Sequence, residues 1–141
     1  MTVIDPAGMP VDCAATPAGA APIIYVCVTC RGPDPTPAGT IPGMLVAAAT
    51  ARAAAGSGVE VRRVRCLANC SRGPSAAVRC NGSWTYVFGS LDGACGSALV
   101  AAAHLLAEAA DGIMPWRGRP EPLKGRLIAR VPPIGFSEDA E

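Results

Sequence analysis

Aromatic side chains are scarce in this chain of 141 residues, with two Trp, two Tyr and two Phe making up 4%. That excludes an interior built from large rings, so alanine and valine must do much of the filling. Histidine occurs once, at His104, which leaves little for general acid–base catalysis. The net charge is only +1, so there is no bulk attraction to nucleic acid or to a membrane surface. No apolar run reaches the ~18 residues of a membrane span, because prolines and glycines interrupt each one. The opening "MTVIDPAGMPVDCAATP" has neither a basic segment nor a long apolar stretch, and it is not expected to be a secretory signal. Walker A, dinucleotide-binding, H-E-x-x-H and G-x-S-x-G motifs are missing as well. A catalyst is therefore not expected.

Cysteine is what the chain has in plenty. There are seven, an odd number that rules out complete pairing into disulfides within one chain. With no signal in view, a reducing cytoplasm is the expected setting, where clustered cysteines read as metal or redox sites.

Residues 1–21 are rich in Pro, Ala and Gly without periodicity and are expected to be a flexible arm. Cys13 lies in it as a bystander. A domain is expected over 22–111. "PIIYVCV", 22–28, has the β-branched and aromatic content of a strand. Pro33, Pro35, Pro37 and Pro42 keep the next segment non-helical. A helix is predicted from about Pro42 to Gly56 or Gly58, and "VEVRRVR", 59–65, as a second strand. A helix between two strands makes them parallel neighbours. Asn81-Gly82 between "SAAVRC" and "SWTYVFG" predicts a hairpin, with Trp84, Tyr86 and Phe88 on one face. "GACGSALVAAAHLLAEAA", 93–110, predicts a helix capped by Asp92. The expected fold is α/β (α+β), β-α-β then β-β-α around a four-stranded mixed sheet, the order of a thioredoxin core. Residues 112–133 read as an irregular, basic, Pro-rich extension, and 134–141 as an acidic frayed tail.

On this map Cys27 lies in the first strand with Cys30 just beyond it, while Cys66 ends the second strand and Cys70 follows in the loop. Parallel neighbours set their carboxyl ends side by side, so the topology brings both cysteine pairs to one end of the sheet. Four thiolates suit Zn²⁺ or an iron–sulfur cluster. The two pairs stand further apart than the ~15–20 residues separating the knuckles of ordinary zinc ribbons. A structural zinc site remains open, as does metal handling. A thioredoxin-type dithiol at Cys27 and Cys30 is disfavoured, because such a site needs a helix N-terminus directly after it and Gly32, Pro33, Pro35 and Pro37 follow. Cys80 and Cys95 read as small buried hydrophobes, His104 as a packed or half-exposed helix residue.

Cys66, Cys70 and Pro74, followed by strand, turn and strand, resemble the second half of the thioredoxin-like [2Fe-2S] ferredoxins. The small iron–sulfur subunit of respiratory NADH dehydrogenase shares that arrangement. More closely, "YVCVTCR", "CLANC", "WTYVFG", "ADGIMPWRGRPEP" and "LIARVPP" resemble an uncharacterised bacterial family of predicted metal-binding, ferredoxin-like proteins, often encoded near cobalt-uptake or cobalamin-biosynthesis genes. Many of those relatives carry a further cysteine where this chain reads "SRGPSA". The resemblance spans 22–133. It implies a [2Fe-2S] cluster ligated by Cys27, Cys30, Cys66 and Cys70, one-electron transfer to a partner protein, and a possible homodimer. Arg31, Arg65 and Arg72 adjoin these cysteines and are placed to offset the cluster's negative charge. Loop N–H groups could bond its sulfurs, with Gly73 allowing close approach. The basic extension, with Arg117, Arg119, Lys124, Arg126 and Arg130 against Glu121, is either a docking surface for an acidic redox partner or a cover for the sheet or helix.

Overall fold

A computed structural model describes residues 21–31 and 39–137. The arm up to residue 20, with Cys13, the proline-rich stretch 32–38 and the acidic residues 138–141 lie outside the described residues.

Strand β1 (Ile23–Cys27) leads to helix α1 (Pro42–Ala54) and strand β2 (Glu60–Val64). Proline in the first turn starts α1, where its missing N–H costs nothing. Strands β3 (Ala76–Arg79) and β4 (Thr85–Phe88) form the hairpin. Gly82 takes φ +79° at the turn, as an Asn-Gly hairpin requires. A short 3₁₀ turn, Gly93–Cys95, then runs into α2 (Gly96–Glu108). Asp92 caps this junction by accepting the Ala94 N–H at 2.9 Å.

The sheet has five strands, not four, in the order β2-β1-β3-β4-β5. The fifth, β5 (Leu127–Val131), comes from the segment expected to be irregular. It pairs antiparallel with β4, with a bulge between Val87 and Phe88. β1 and β2 are parallel, with Cys27 opposite Val64. The β1–β3 and β3–β4 pairs are antiparallel.

Ile24, Val26, Ala76, Val78, Tyr86 and Phe88 are all buried, and the pairing register sets them side by side on one face of the sheet. The two helices pack on the sheet and on each other. Their contact is built from small residues, as the scarcity of rings predicted. A Cβ on Gly96 would stand 2.7 Å from the backbone of Ala49, so only glycine admits this approach. The few rings are used where most area is gained, since Tyr86 and Phe88 are the largest fully buried side chains. Met114 and Leu123, in the segment after α2, are buried in the same core.

Candidate metal centre

The ends of β1 and β2 carry the two cysteine pairs. Cys27 is the last residue of β1, and Cys66 follows β2 by two positions. The Cys27 and Cys30 sulfurs are 2.9 Å apart and both residues are buried. The Cys66 and Cys70 sulfurs are 4.0 Å apart and both residues are exposed. The Cys27 thiol lies 3.4 Å from the Arg65 carbonyl oxygen, next to Cys66 in sequence. The Thr29 hydroxyl donates to that same carbonyl. The pairs therefore adjoin, one inside the protein and one at its surface. Among the described residues, no three His, Cys, Asp or Glu side chains are grouped as one metal ion would require.

Backbone, more than side chains, shapes the surroundings of these sulfurs. The Ala68 N–H donates to the Cys66 sulfur at 3.1 Å. Ala68 holds φ +60°, and this left-handed turn accompanies that bond. Cys70–Arg72 forms a 3₁₀ turn ending at Gly73. A Cβ on Gly73 would lie 2.7 Å from the Cys30 sulfur, so the loop backbone rests directly on that thiol. Ser75 is fully buried; its hydroxyl accepts from the Asn69 amide at 2.8 Å and its carbonyl from the Cys27 N–H at 3.0 Å. The start of α1 closes the other side. The Gly43 N–H donates to the Cys30 carbonyl at 2.9 Å, and a Cβ at 43 would run into the Cys27 carbonyl oxygen at 2.3 Å. The helix absent from the sequence immediately after Cys30 thus arrives in space, and its N-terminus meets a carbonyl rather than a thiol.

Proton affinities divide the inner pair. Burial opposes a Cys27 thiolate, yet hydrogen bonds from the Cys30 thiol, from Thr29 and from the Leu67 backbone bring its pKa below the ordinary thiol value. Burial, then the hydrogen bond and charge of Cys27, push the Cys30 thiol up to about 12. Of the two, Cys27 gives up its proton more readily. Cys70 is also raised, first by its bond to Cys66 and then by the Cys66 charge, with a smaller contribution from Cys27. Charge on one pair is felt by the other, as their adjacency requires.

All four cysteines named from sequence lie at this end of the sheet. Arg31, Arg65 and Arg72 are exposed around them. Cys95 is buried within the core cluster, beside Asp92 and with an Arg126 N–H at 3.3 Å, and Cys80 is partly buried after β3. His104 stays half-buried, its Nε2 at 3.1 Å from the Ser57 carbonyl. Sequence reasoning missed Ser75, Asn69 and Gly43. No local sequence pattern marks them, since each acts where another segment of the chain arrives.

Residues 24–133 match the family described as protein of unknown function DUF1636. The chain belongs to that family. No curated protein matches the DUF1636 chain. Among solved structures it is similar to a thioredoxin-like [2Fe-2S] ferredoxin from Aquifex aeolicus, with a TM-score of 0.52 and 17% identity, over 83% of this chain and 98% of that one. At that identity the likeness establishes the fold, which is thioredoxin-like, as the element order predicted. Among the described residues no helix is long and apolar enough to cross a membrane.

Proposed function

We propose that Cys27, Cys30, Cys66 and Cys70 hold a [2Fe-2S] cluster through which the protein passes single electrons to or from a partner protein. The observation that carries this is the arrangement of the thiols as two adjoining pairs with backbone packed on them. A binuclear centre needs two thiolates for each iron, whereas one tetrahedral zinc needs all four around a single point. The Ala68 N–H on the Cys66 sulfur suits a group whose sulfurs accept hydrogen bonds, and the Gly73 backbone packs on the Cys30 sulfur. When bound, the cluster would supply reversible one-electron chemistry. The chain's own part is to shield the inner pair from water and to leave the outer pair at the surface, where an electron can enter or leave. Exposed Arg31, Arg65 and Arg72 offset the negative charge and give an acidic partner a place to dock. The reading requires a compartment that keeps thiols reduced, such as the cytoplasm.

The extension 112–133 fits this role less well than its charge implied. Arg126 contacts Ser90 and Cys95, and Arg119 is bonded to the Met114 carbonyl. A dithiol mechanism is also poorly served, because Cys27 and Cys30 are 0% and 3% exposed and a substrate cannot reach them.

The deciding experiment measures iron, zinc, cobalt and acid-labile sulfide in anaerobically purified protein, with absorption and dithionite-reduced EPR spectra. Two irons and two sulfides per chain with an S = 1/2 signal are expected, and Cys66→Ser or Cys70→Ser should lose both while Cys80→Ser keeps them. One zinc without sulfide would make the site structural. Bound cobalt would make metal handling, linked to cobalamin metabolism, the function.

A further inference from the structure

A second site lies away from the cysteines, where β4 and β5 meet the segment that follows α2. A cavity of about 610 Å³ opens there, within the ~300–1,000 Å³ usual for small-molecule sites. Its walls are mostly apolar, with Ile113, Met114, Pro115 and Leu127 among them, and Arg119, Arg130 and Asp111 supply its charges. Tyr86, which lines it, pairs with Val78 and through Val78 with Ile24. That places the cavity about 10 Å back along the strands and about 10 Å across from Cys27.

Arg119 is built in. Its guanidinium lies 5.1 Å from the Trp116 ring centre and 5.6 Å from that of Tyr86. One terminal nitrogen donates to the Met114 carbonyl at 2.8 Å, and the Met114 N–H donates to the Tyr86 hydroxyl at 2.9 Å. The fork is thus held in place before any ligand arrives. Most of its donors are unspent, and Nε is shut from solvent with no acceptor. Arg130 stands over the Trp84 ring at 4.2 Å. Among the described residues neither arginine has a carboxylate partner. Asp111 is the one acid of the lining, and its Oδ1 already accepts the Ile113 N–H at 3.1 Å. Fixed guanidinium donors without acceptors, beside an apolar hollow, call for an anion with an apolar body.

We propose that this cavity binds a small organic anion, an apolar body bearing one carboxylate or phosphate, whose charge Arg119 and Arg130 receive. The site does not depend on the cluster, so either assignment can fail without the other.

The test uses two dyes that share an aromatic body, anionic 8-anilinonaphthalene-1-sulfonate and uncharged N-phenyl-1-naphthylamine, titrated against the full chain. The anionic dye should bind one per chain and take energy from Trp116 and from Trp84, which lies under Arg130, and Trp116→Leu should reduce that transfer. Arg119→Gln should weaken it about tenfold, the effect of one charge-assisted bond. Because Arg119 also ties down Met114, Arg130→Gln, on the exposed edge strand, is the companion variant; it should weaken the anionic dye with an unchanged melting curve and leave the uncharged dye alone. Displacement by 2-naphthoate or 2-naphthyl phosphate supports the site, and the stronger competitor names the anionic group. Equal binding of both dyes in all variants overturns the proposal. So does anionic-dye binding that appears only when the chain is ended at Ser137, since its own acidic tail would then be the occupant.

Discussion

Gly73→Ala tests the packing on which the candidate centre rests. Gly73 has φ −78° and ψ 172°, an extended conformation that alanine adopts freely and that the following proline favours. The methyl group would stand 2.7 Å from the Cys30 sulfur and 2.9 Å from its Cβ, about 1 Å inside normal contact. Cys30 is 3% exposed, and its carbonyl is bonded to the start of α1, so it has little room to retreat. Overpacking of this kind costs about 1–3 kcal/mol. Loss of glycine's freedom in the unfolded chain returns about 0.4–1 kcal/mol. The net expectation is a loss of about 1–2 kcal/mol, or roughly 3–8 °C in Tm for a chain of this size. Urea unfolding of metal-free, reduced protein measures it, with Gly93→Ala as the reference, because a Cβ at 93 meets nothing within 4 Å. If both variants unfold at the same urea concentration, the loop backbone does not rest on the Cys30 thiol and the account of the centre fails with it.

Ala68→Gly should stabilise the metal-free protein by about 1 kcal/mol, since Ala68 holds a left-handed φ of +60° that glycine adopts without cost; an unchanged or lower urea midpoint would count against that geometry. Tyr86→Phe removes the acceptor of the buried Met114 N–H and should cost about 1–3 kcal/mol in thermal unfolding, while a neutral result would mean that water replaces the hydroxyl. Burial first, with the Asp92 charge adding to it, raises the Cys95 thiol, and burial raises Cys80. The unfolded chain therefore releases these protons first as pH rises, so stability is full below the ordinary thiol value of about 8.5 and falls above it towards the raised folded values. Urea midpoints from pH 7.5 to 10 should decline, and less steeply in Cys95→Ala; equal slopes would refute the assignment.

Much of the fold was legible because its boundaries are chemically marked. Pro42 opens α1, Asn81-Gly82 turns the hairpin, and Asp92 caps the junction before α2. The two cysteine pairs could be brought together from topology alone, because parallel strands share their carboxyl ends. β5 escaped notice for a physical reason. It is an edge strand, exposed from Ala129 to Val131, so its sequence has no buried stripe to reveal it. Its marks were subtler, a turn glycine at Gly125 with φ +82° before the aliphatic Leu127 and Ile128, and Pro132 after Val131. The polar and glycine supports of the cysteines were hidden for another reason. Asn69, Ser75 and Gly43 matter through where other segments arrive, and no local pattern encodes that.

β5 occupies the hydrogen-bonding edge that β4 would otherwise present to solvent. A chain cut at Gly125 would keep its helices and its cysteines, but it would offer Thr85–Phe88, rich in β-branched and aromatic residues, as a bare template. Another molecule could add its own strand there, and the next molecule to that, in the manner of a growing fibre. Such a fragment should precipitate as protein concentration rises, where the longer chain stays dispersed. The most weakly encoded strand is thus the one that guards against self-assembly.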